Sequence, residues 1–566
     1  MKSFLSVFSI FLLFSPVLAL WPRPQKLTTG STPLRLAPHF SIRFSDKKQN
    51  VPKDLQDAVR RTAQHLKDDK LQALVVDRGA SSSVEVRSAK TLSSLTLTFN
   101  DASSSSKKVK SLSEDATAGI GNQDESYSLQ VSEDGNAVLT ANTALGLFRG
   151  LTTFGQLWYE LDGETYTLQA PISIEDSPKY VSHASNISGL IFGLTRLLAA
   201  LSFPVPDIKR TLDAMSWVKV NHLHWHVVDS QSFPLVVPGF EELSNNGAYS
   251  SDQVYTGKDV KDIVTYAAAR GIDVLVEIDT PGHTSVIAKS HPEHIACPEA
   301  SPWSQFANEP PAGQLRLASP ATVNFTSGLI KSMTSMFPSP LFSTGGDEIN
   351  ANCYEKDDQT QSDLNASGQT LDEALASFVG ATHEVVRGAG KTPVVWQEIP
   401  LEHNVPVGND TIVMVWISSQ HVGAVAEKGL RLIHAASDYF YLDCGGGGWV
   451  GNNINGNSWC DPFKTWQKAY SFDPLNGTTP DQEHLVLGGQ QLIWTEQTGP
   501  SNLDSIVWPR AAASAELFWS GPGGDVKSAL PRLHDVAYRF IERGVRAIPL
   551  QPRWCALRPG ACDIDA

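Results

Sequence analysis

Residues 260–279 read Val260-Lys261-Asp262-Ile263-Val264-Thr265-Tyr266-Ala267-Ala268-Ala269-Arg270-Gly271-Ile272-Asp273-Val274-Leu275-Val276-Glu277-Ile278-Asp279, and this stretch decides the fold class. Val260, Ile263, Val264 and Ala267 recur at three- and four-residue spacing, which places one apolar stripe along a helix. Gly271 tolerates the left-handed conformation that ends a helix. Ile272 to Asp279 is then a short apolar run ending in carboxylates, the signature of a buried strand. A helix followed at once by such a strand is the repeating unit of a parallel sheet.

The unit recurs in both directions. Ile208, Leu212 and Met215 share a helical face, with Pro206 near the helix start, and the strand Asn221–Asp229 follows. Further strands are expected at Leu341–Thr344, Pro393–Gln397, Ile412–Trp416, Leu430–Ala435 and Leu485–Trp494, with a closing helix from Arg510 to Trp519. Seven strands alternating with helices predict an α/β fold with a (β/α)8 TIM barrel, and an eighth strand is owed before Pro204. Polar and aromatic residues stand at the strand ends: Asp229, Glu277, Asp279, Asp347, Glu348, Trp396, Trp416, Tyr441, Trp494 and Glu496. In such a barrel the C-terminal strand ends surround one pocket.

The chain before the barrel has another character. Met1–Ala19 joins a basic start to a short apolar run and a small residue, which reads as a cleaved signal peptide. Residues 20–176 carry alternating stretches such as Ser94–Phe99 and Tyr127–Val131, a helical piece at 144–157, and Ser-rich breaks at Ser81–Ser83 and Ser103–Ser106. They are expected to form a smaller α+β domain with an exposed, processed loop beside Lys107-Lys108, ahead of a barrel over 177–566.

Six cysteines are an even set for an exported chain. Proximity favours Cys444 with Cys460 and Cys555 with Cys562, leaving Cys297 for Cys353, among fifteen formal pairings. Asn-x-Ser/Thr triplets at Asn186, Asn324, Asn365, Asn409 and Asn476 fit the same route. A net charge of −15 argues against a nucleic-acid partner, which would require a basic face. Fourteen tryptophans exceed what a core needs, and indole faces serve as sugar platforms.

The chemistry concentrates in Thr344-Gly345-Gly346-Asp347-Glu348, where two glycines turn the chain tightly and present adjacent carboxylates at a strand end. Their repulsion should raise the pKa of one, as a general acid requires. Together with Asn221-His222-Leu223-His224-Trp225-His226-Val227-Val228-Asp229-Ser230-Gln231 and Asp279-Thr280-Pro281-Gly282-His283, this pentapeptide resembles the β-N-acetylhexosaminidases of glycoside hydrolase family 20, particularly the secreted fungal enzymes. The resemblance runs from about Phe203 to the C-terminus, and it implies a zincin-like small domain over 20–176. It implies Glu348 as the general acid/base, Asp347 as the carboxylate that orients the substrate acetamide, and Tyr441 as a donor to the acetamide oxygen. Trp396, Trp416 and Trp494 are the implied walls of the acetamide pocket. Asp443 and Glu496 are the implied partners of sugar hydroxyls, and Asp229 with His283 tunes the acid.

The expected reaction is removal of terminal β-linked N-acetylglucosamine or N-acetylgalactosamine, with the substrate's own acetamide as nucleophile. No cofactor and no metal is expected. The expected partners are chitin oligosaccharides or N-acetylhexosamine-terminated glycans, with neither nucleic acid nor membrane, and family members are often homodimers. The expected location is outside the cell, at the wall, or in a vacuole, and carboxylate chemistry implies an acidic pH optimum.

One segment departs from the family. After Pro178-Lys179-Tyr180 the chain lacks the family's His-Arg-Gly stretch, and residues 181–203 form an irregular, overlong, mostly apolar run containing Arg196. It is either an interval misread from the gene or genuine sequence with altered sugar binding, and Arg196 has no assigned role. Ser343 stands where many members have histidine. Two other readings compete: a metal-dependent barrel hydrolase using His222, His224 and His226, which share one face of a strand, and a catalytically impaired chitin- or glycan-binding relative.

Overall fold

A computed structural model of the chain describes residues 19–46, 50–71, 83–100, 109–179, 194–195 and 203–566, the pair 194–195 by backbone alone. Met1–Val17, the Lys107-Lys108 loop, Asn186 and Arg196 lie outside these residues.

The N-terminal part is a six-stranded sheet in the spatial order Lys26–Phe44, Lys90–Phe99, Ala137–Ala141, Tyr127–Val131, Glu164–Asp176, Tyr159–Leu161. Lys90–Phe99 illustrates why it forms: Leu92, Leu95, Leu97 and Phe99 are buried while their neighbours face outward. Helices Lys53–Asp68 and Ala144–Gln156 pack together beside the sheet. Lys26–Phe44 is fully buried only at Leu34 and Leu36, with exposed residues toward both ends.

The barrel strands lie parallel in chain order: His222–Val228, Asp273–Ile278, Leu341–Gly345, Thr392–Trp396, Ile412–Val415, Arg431–His434 and Val486–Gly489. The two-residue strand Leu194–Thr195 pairs in parallel with Gln491–Leu492 and neighbours His222–Val228, so the strand owed before Pro204 sits between the two edges of the sheet. The run expected as one strand over 485–494 is split at Gln490. That residue's backbone N–H binds the His434 carbonyl, and its side chain turns inward to His224 and Met414. Helix Val205–Trp217 buries Ile208, Leu212 and Met215, with Pro206 in its first turn. The disulfides are Cys297–Cys353, Cys444–Cys460 and Cys555–Cys562. Asn324, Asn365, Asn409 and Asn476 are all exposed.

A buried ionic cluster joins the N-terminal sheet to the barrel. Asp176 accepts from Lys219 Nζ at 2.7 Å, from the Tyr127 hydroxyl at 2.6 Å and from Trp519 Nε1 at 3.1 Å. The Lys219 and Asp176 side chains have no exposed surface. Removing one member leaves the other charged and unsolvated, so Asp176→Ala is expected to cost about 3–5 kcal/mol in urea unfolding. Combining Asp176→Leu with Lys219→Met is expected to recover much of that loss. A cost below about 1 kcal/mol for the single variant would show that the cluster does not hold the two parts together.

Candidate active site

The site stands at the C-terminal ends of the second to eighth barrel strands. Its lowest layer is Glu277, which projects from Asp273–Ile278 and has no exposed surface. Its carboxylate accepts from His226 Nδ1 at 2.6 Å, His224 Nε2 at 2.9 Å, Trp396 Nε1 at 3.2 Å and the Ser343 hydroxyl. Burial alone would raise the Glu277 pKa, but the facing histidines hold it well below the usual carboxylate range. His222 instead meets Asn221 at 3.0 Å, so only His224 and His226 of the three strand histidines share Glu277. Serine at 343 supplies a hydroxyl donor to this layer.

Above it, the chain turns sharply. Gly345 has φ +68°, and a Cβ there would lie 1.9 Å from Asp279 Oδ1, so only glycine fits. Asp279 Oδ1 accepts the Gly346 N–H at 2.7 Å. Two side-chain-bearing residues of the site share the left-handed region, Glu348 at φ 56° and His283 at φ 52°. Such backbone costs on the order of 1–3 kcal/mol per residue and persists where surroundings over-determine it.

Three groups then form a line. Asp229 Oδ1 meets His283 Nδ1 at 2.9 Å, and His283 Nε2 lies 3.3 Å from Glu348 Oε2. The same Nε2 is 4.0 Å from Asp347 Oδ2. Burial would lower the His283 pKa, but Asp229, Asp279 and Asp347 together raise it well above 6.5. Burial would raise Asp229, and His283 and His226 hold it well below the usual range. The pair is therefore an imidazolium and a carboxylate, with the imidazolium facing Glu348. Of the neighbours of Asp347, Asp279 is pushed well above its usual value, by burial first and by the Asp347 charge second. Glu398 is pushed up in the same way while accepting from Trp416 Nε1 at 2.8 Å.

A cavity of about 420 Å³ opens over these groups. Among the expected residues Asp347, Glu348, Trp416, Tyr441, Trp494 and Glu496 line it. Tyr441 and Trp416 are stacked with centroids 6.2 Å apart, and Trp494 lies 5.6 Å from Tyr441. Trp396 is wholly buried and supports Trp494 from beneath, 6.3 Å away, instead of forming the cavity surface. Asp443 also sits behind the surface: Oδ2 accepts the Trp494 N–H at 2.6 Å, while Oδ1 is buried with no partner among the described residues. Burial pushes the Asp443 carboxyl well upward. Asp229 and His283 stand behind the cavity surface, with Glu348, Glu309 and Asp347 between His283 and the cavity.

Sequence reasoning missed several neighbours. Glu309 lies 3.4 Å from His283 Nδ1 and lines the cavity, as do Trp303, Trp449 and Trp459. They come from long loops without periodicity, where nothing local marks a residue as facing the site. Ligand atoms of His226, Glu277 and Asp279 lie within 4.8 Å of one another, as do those of Asp279, His283 and Asp347. The donor set is mixed, and the Glu277 oxygens already accept four hydrogen bonds.

The described residues contain no helix long and apolar enough to cross a membrane. Residues 200–522 match the profile of the glycosyl hydrolase family 20 catalytic domain, and residues 20–157 match a β-acetyl hexosaminidase-like domain. A β-hexosaminidase from Arthroderma benhamiae is 30% identical, with 98% of each chain aligned. A chitooligosaccharidolytic β-N-acetylglucosaminidase from Ostrinia furnacalis is 33% identical over 78% of this chain and 75% of its own. In fold, a Flavobacterium johnsoniae chitobiase superposes with TM-score 0.72 at 24% identity, covering 93% of this chain and 73% of its own. A β-N-acetylhexosaminidase from Streptomyces coelicolor gives 0.68 at 21% identity, covering 95% of this chain and 99% of its own. With a catalytic-domain match over more than half its length and a full-length relative at this identity, the chain belongs to glycosyl hydrolase family 20, a family of glycosidases.

Proposed function

We propose that the chain is an exo-acting, retaining β-N-acetylhexosaminidase that releases terminal β-linked N-acetylglucosamine or N-acetylgalactosamine by substrate-assisted catalysis. The observation that carries this reading is the line Asp229–His283–Glu348 beside Asp347 at the floor of an aromatic cavity.

The chemistry follows from that placement. Glu348 donates its proton to the glycosidic oxygen as the bond to the anomeric carbon breaks, and the acetamide oxygen bonds to that carbon from the opposite face. Asp347 accepts the acetamide N–H and offsets the charge that grows on the amide. The Tyr441 hydroxyl donates to the acetamide oxygen and aims it. The result is an oxazolinium ring, which water opens from the original face after giving a proton to the Glu348 carboxylate. Retention follows from two inversions. Holding the internal nucleophile near its target supplies much of the acceleration. Trp416 and Trp494 confine the acetamide, and the buried Trp396 fixes Trp494. Glu496 accepts sugar hydroxyls from the cavity wall, and Asp443, set behind that wall, positions Trp494 through the Trp494 N–H. The buried layer of Trp396 and Glu277 closes the cavity floor, which suits a terminal residue over an internal one.

Chitin oligosaccharides are the proposed substrates, in keeping with the name of the Ostrinia furnacalis relative. Secretion is proposed from the leader-like start, three disulfides and exposed Asn-x-Ser/Thr sites. A binding-only protein has no use for an imidazolium aimed at Glu348.

Glu348→Gln keeps the shape and removes the proton, so kcat on a chromogenic N-acetyl-β-glucosaminide is expected to fall about 10²–10⁴-fold with KM nearly unchanged. Retention of full kcat would remove Glu348 from the acid role. A second expectation concerns pH. The folded His283 pKa is raised, so its charge, and the stability it contributes, are present below the unfolded value and lost as pH rises through the folded one. Asp229→Asn removes the charge that raises it, so the cation facing Glu348 is lost at lower pH, the protonated acid is favoured, and the alkaline limb of kcat/KM is expected to move to higher pH. An alkaline limb at the wild-type position would show that Asp229 and His283 do not govern Glu348.

A further inference from the structure

A second cavity, of about 590 Å³, lies far from this chemistry, between helices Lys53–Asp68 and Ala144–Gln156 of the N-terminal part and helices Val205–Trp217 and Val526–Glu542 of the barrel. Its lining is unusual for a chain of net charge −15, because five arginines face four carboxylates there. Most of these cations are paired. Arg543 meets Asp69 at 2.7 Å, Arg210 meets Asp504 at 2.9 Å, and Arg270 pairs with Asp213.

Arg61 is the exception. Its guanidinium donates to the Ala269 carbonyl at 2.8 Å and has no carboxylate at ion-pair distance among the described residues. A guanidinium carries five N–H donors in a planar fork, and a partly buried one with most of them unused is costly. Burial, and then the like charge of Arg270, lower its pKa to about 10. The cost is relieved when an anion enters. Apolar walls complete the cavity: Phe148, Leu151, Trp217 and Phe540. Arg543 lies over the Trp217 indole, 4.9 Å from its centroid, which holds that ring in place. His65, edge-on to Trp217 at 5.9 Å, is lowered to about 4 by burial and by Arg543, which disfavours its charged form.

We propose that this cavity is a second ligand site, for a small molecule that joins an oxyanion (phosphate, sulfate or carboxylate) to an apolar or ring-shaped body, with Arg61 as the anion fork and Trp217 among its apolar walls. Occupancy would bridge the N-terminal part and the barrel. Its effect on the full-length protein is therefore stabilisation by mass action.

The probe is phenyl phosphate, added to the intact protein at fixed ionic strength while Tm is followed. A saturable rise in Tm is expected for wild type, larger than that given by inorganic phosphate, and unaffected by a saturating thiazoline mimic of the oxazolinium in the active site. Arg61→Gln should abolish the rise and leave hydrolysis unchanged. Arg61→Lys, which keeps the charge without the fork, should reduce the rise and guards against a folding defect in the first variant. No saturable rise in wild type, an equal rise in Arg61→Gln, or its loss when thiazoline is bound would each overturn the proposal.

Discussion

Glu277 carries a carboxylate into the dry centre of the barrel, and a charge there persists only where donors converge on it. The donors come from three other strands: His224 and His226 from His222–Val228, Ser343 from Leu341–Gly345, and Trp396 from Thr392–Trp396. Satisfying one carboxylate therefore fixes the relative height of four neighbouring strands. A slip of one residue in any of them would turn its donor away and leave a buried charge unsolvated. The layer above inherits that registration. Asp279 stands two residues beyond Glu277, Asp347 and Glu348 follow the strand that carries Ser343, and Trp494 rests on Trp396.

Strain and electrostatics at the strand ends then serve one purpose. Glu348 and His283 both occupy left-handed backbone, and the turn through Gly345 leaves no room for a side chain against Asp279. These conformations place a partly exposed Glu348 against an imidazolium that is itself held by a buried carboxylate. Around Asp347 the surroundings respond by keeping Asp279 and Glu398 pushed toward their neutral forms. Under the proposed mechanism, Asp347 is the carboxylate of this crowd that faces the acetamide nitrogen.

Much of this was legible in the sequence, for identifiable reasons. Helix and strand alternated with little interruption from Val205 onward, and polar residues fell at the strand ends, so the barrel and the strand-end residues of the pocket could be read directly. The eighth strand could not, because the sequence on either side of Leu194–Thr195 carries no alternation. Repulsion between Asp347 and Glu348 was the expected source of a raised pKa. The raised carboxyl beside them is Asp279, pushed up by burial and then by the Asp347 charge, a contact between strands that adjacency in sequence conceals. Trp396 was expected at the cavity wall and lies one layer deeper, since alternation along a strand gives direction without depth. Glu309 and the loop tryptophans stayed hidden because loops that fold over a barrel mouth have no period to read. Residues 181–193 and 196–202, where the family's arginine would fall, lie outside the described structure.

In the proposed mechanism the substrate's acetamide oxygen, aimed by Asp347 and Tyr441 and assisted by Glu348, attacks the anomeric carbon. The most direct test of that step compares kcat/KM across aryl β-glucosaminides whose N-acetyl group carries zero, one, two or three fluorines, which weakens the carbonyl oxygen as a nucleophile stepwise. The account predicts a steep, continuous fall along the series. A flat series would contradict it and would require a nucleophile supplied by the protein or by water.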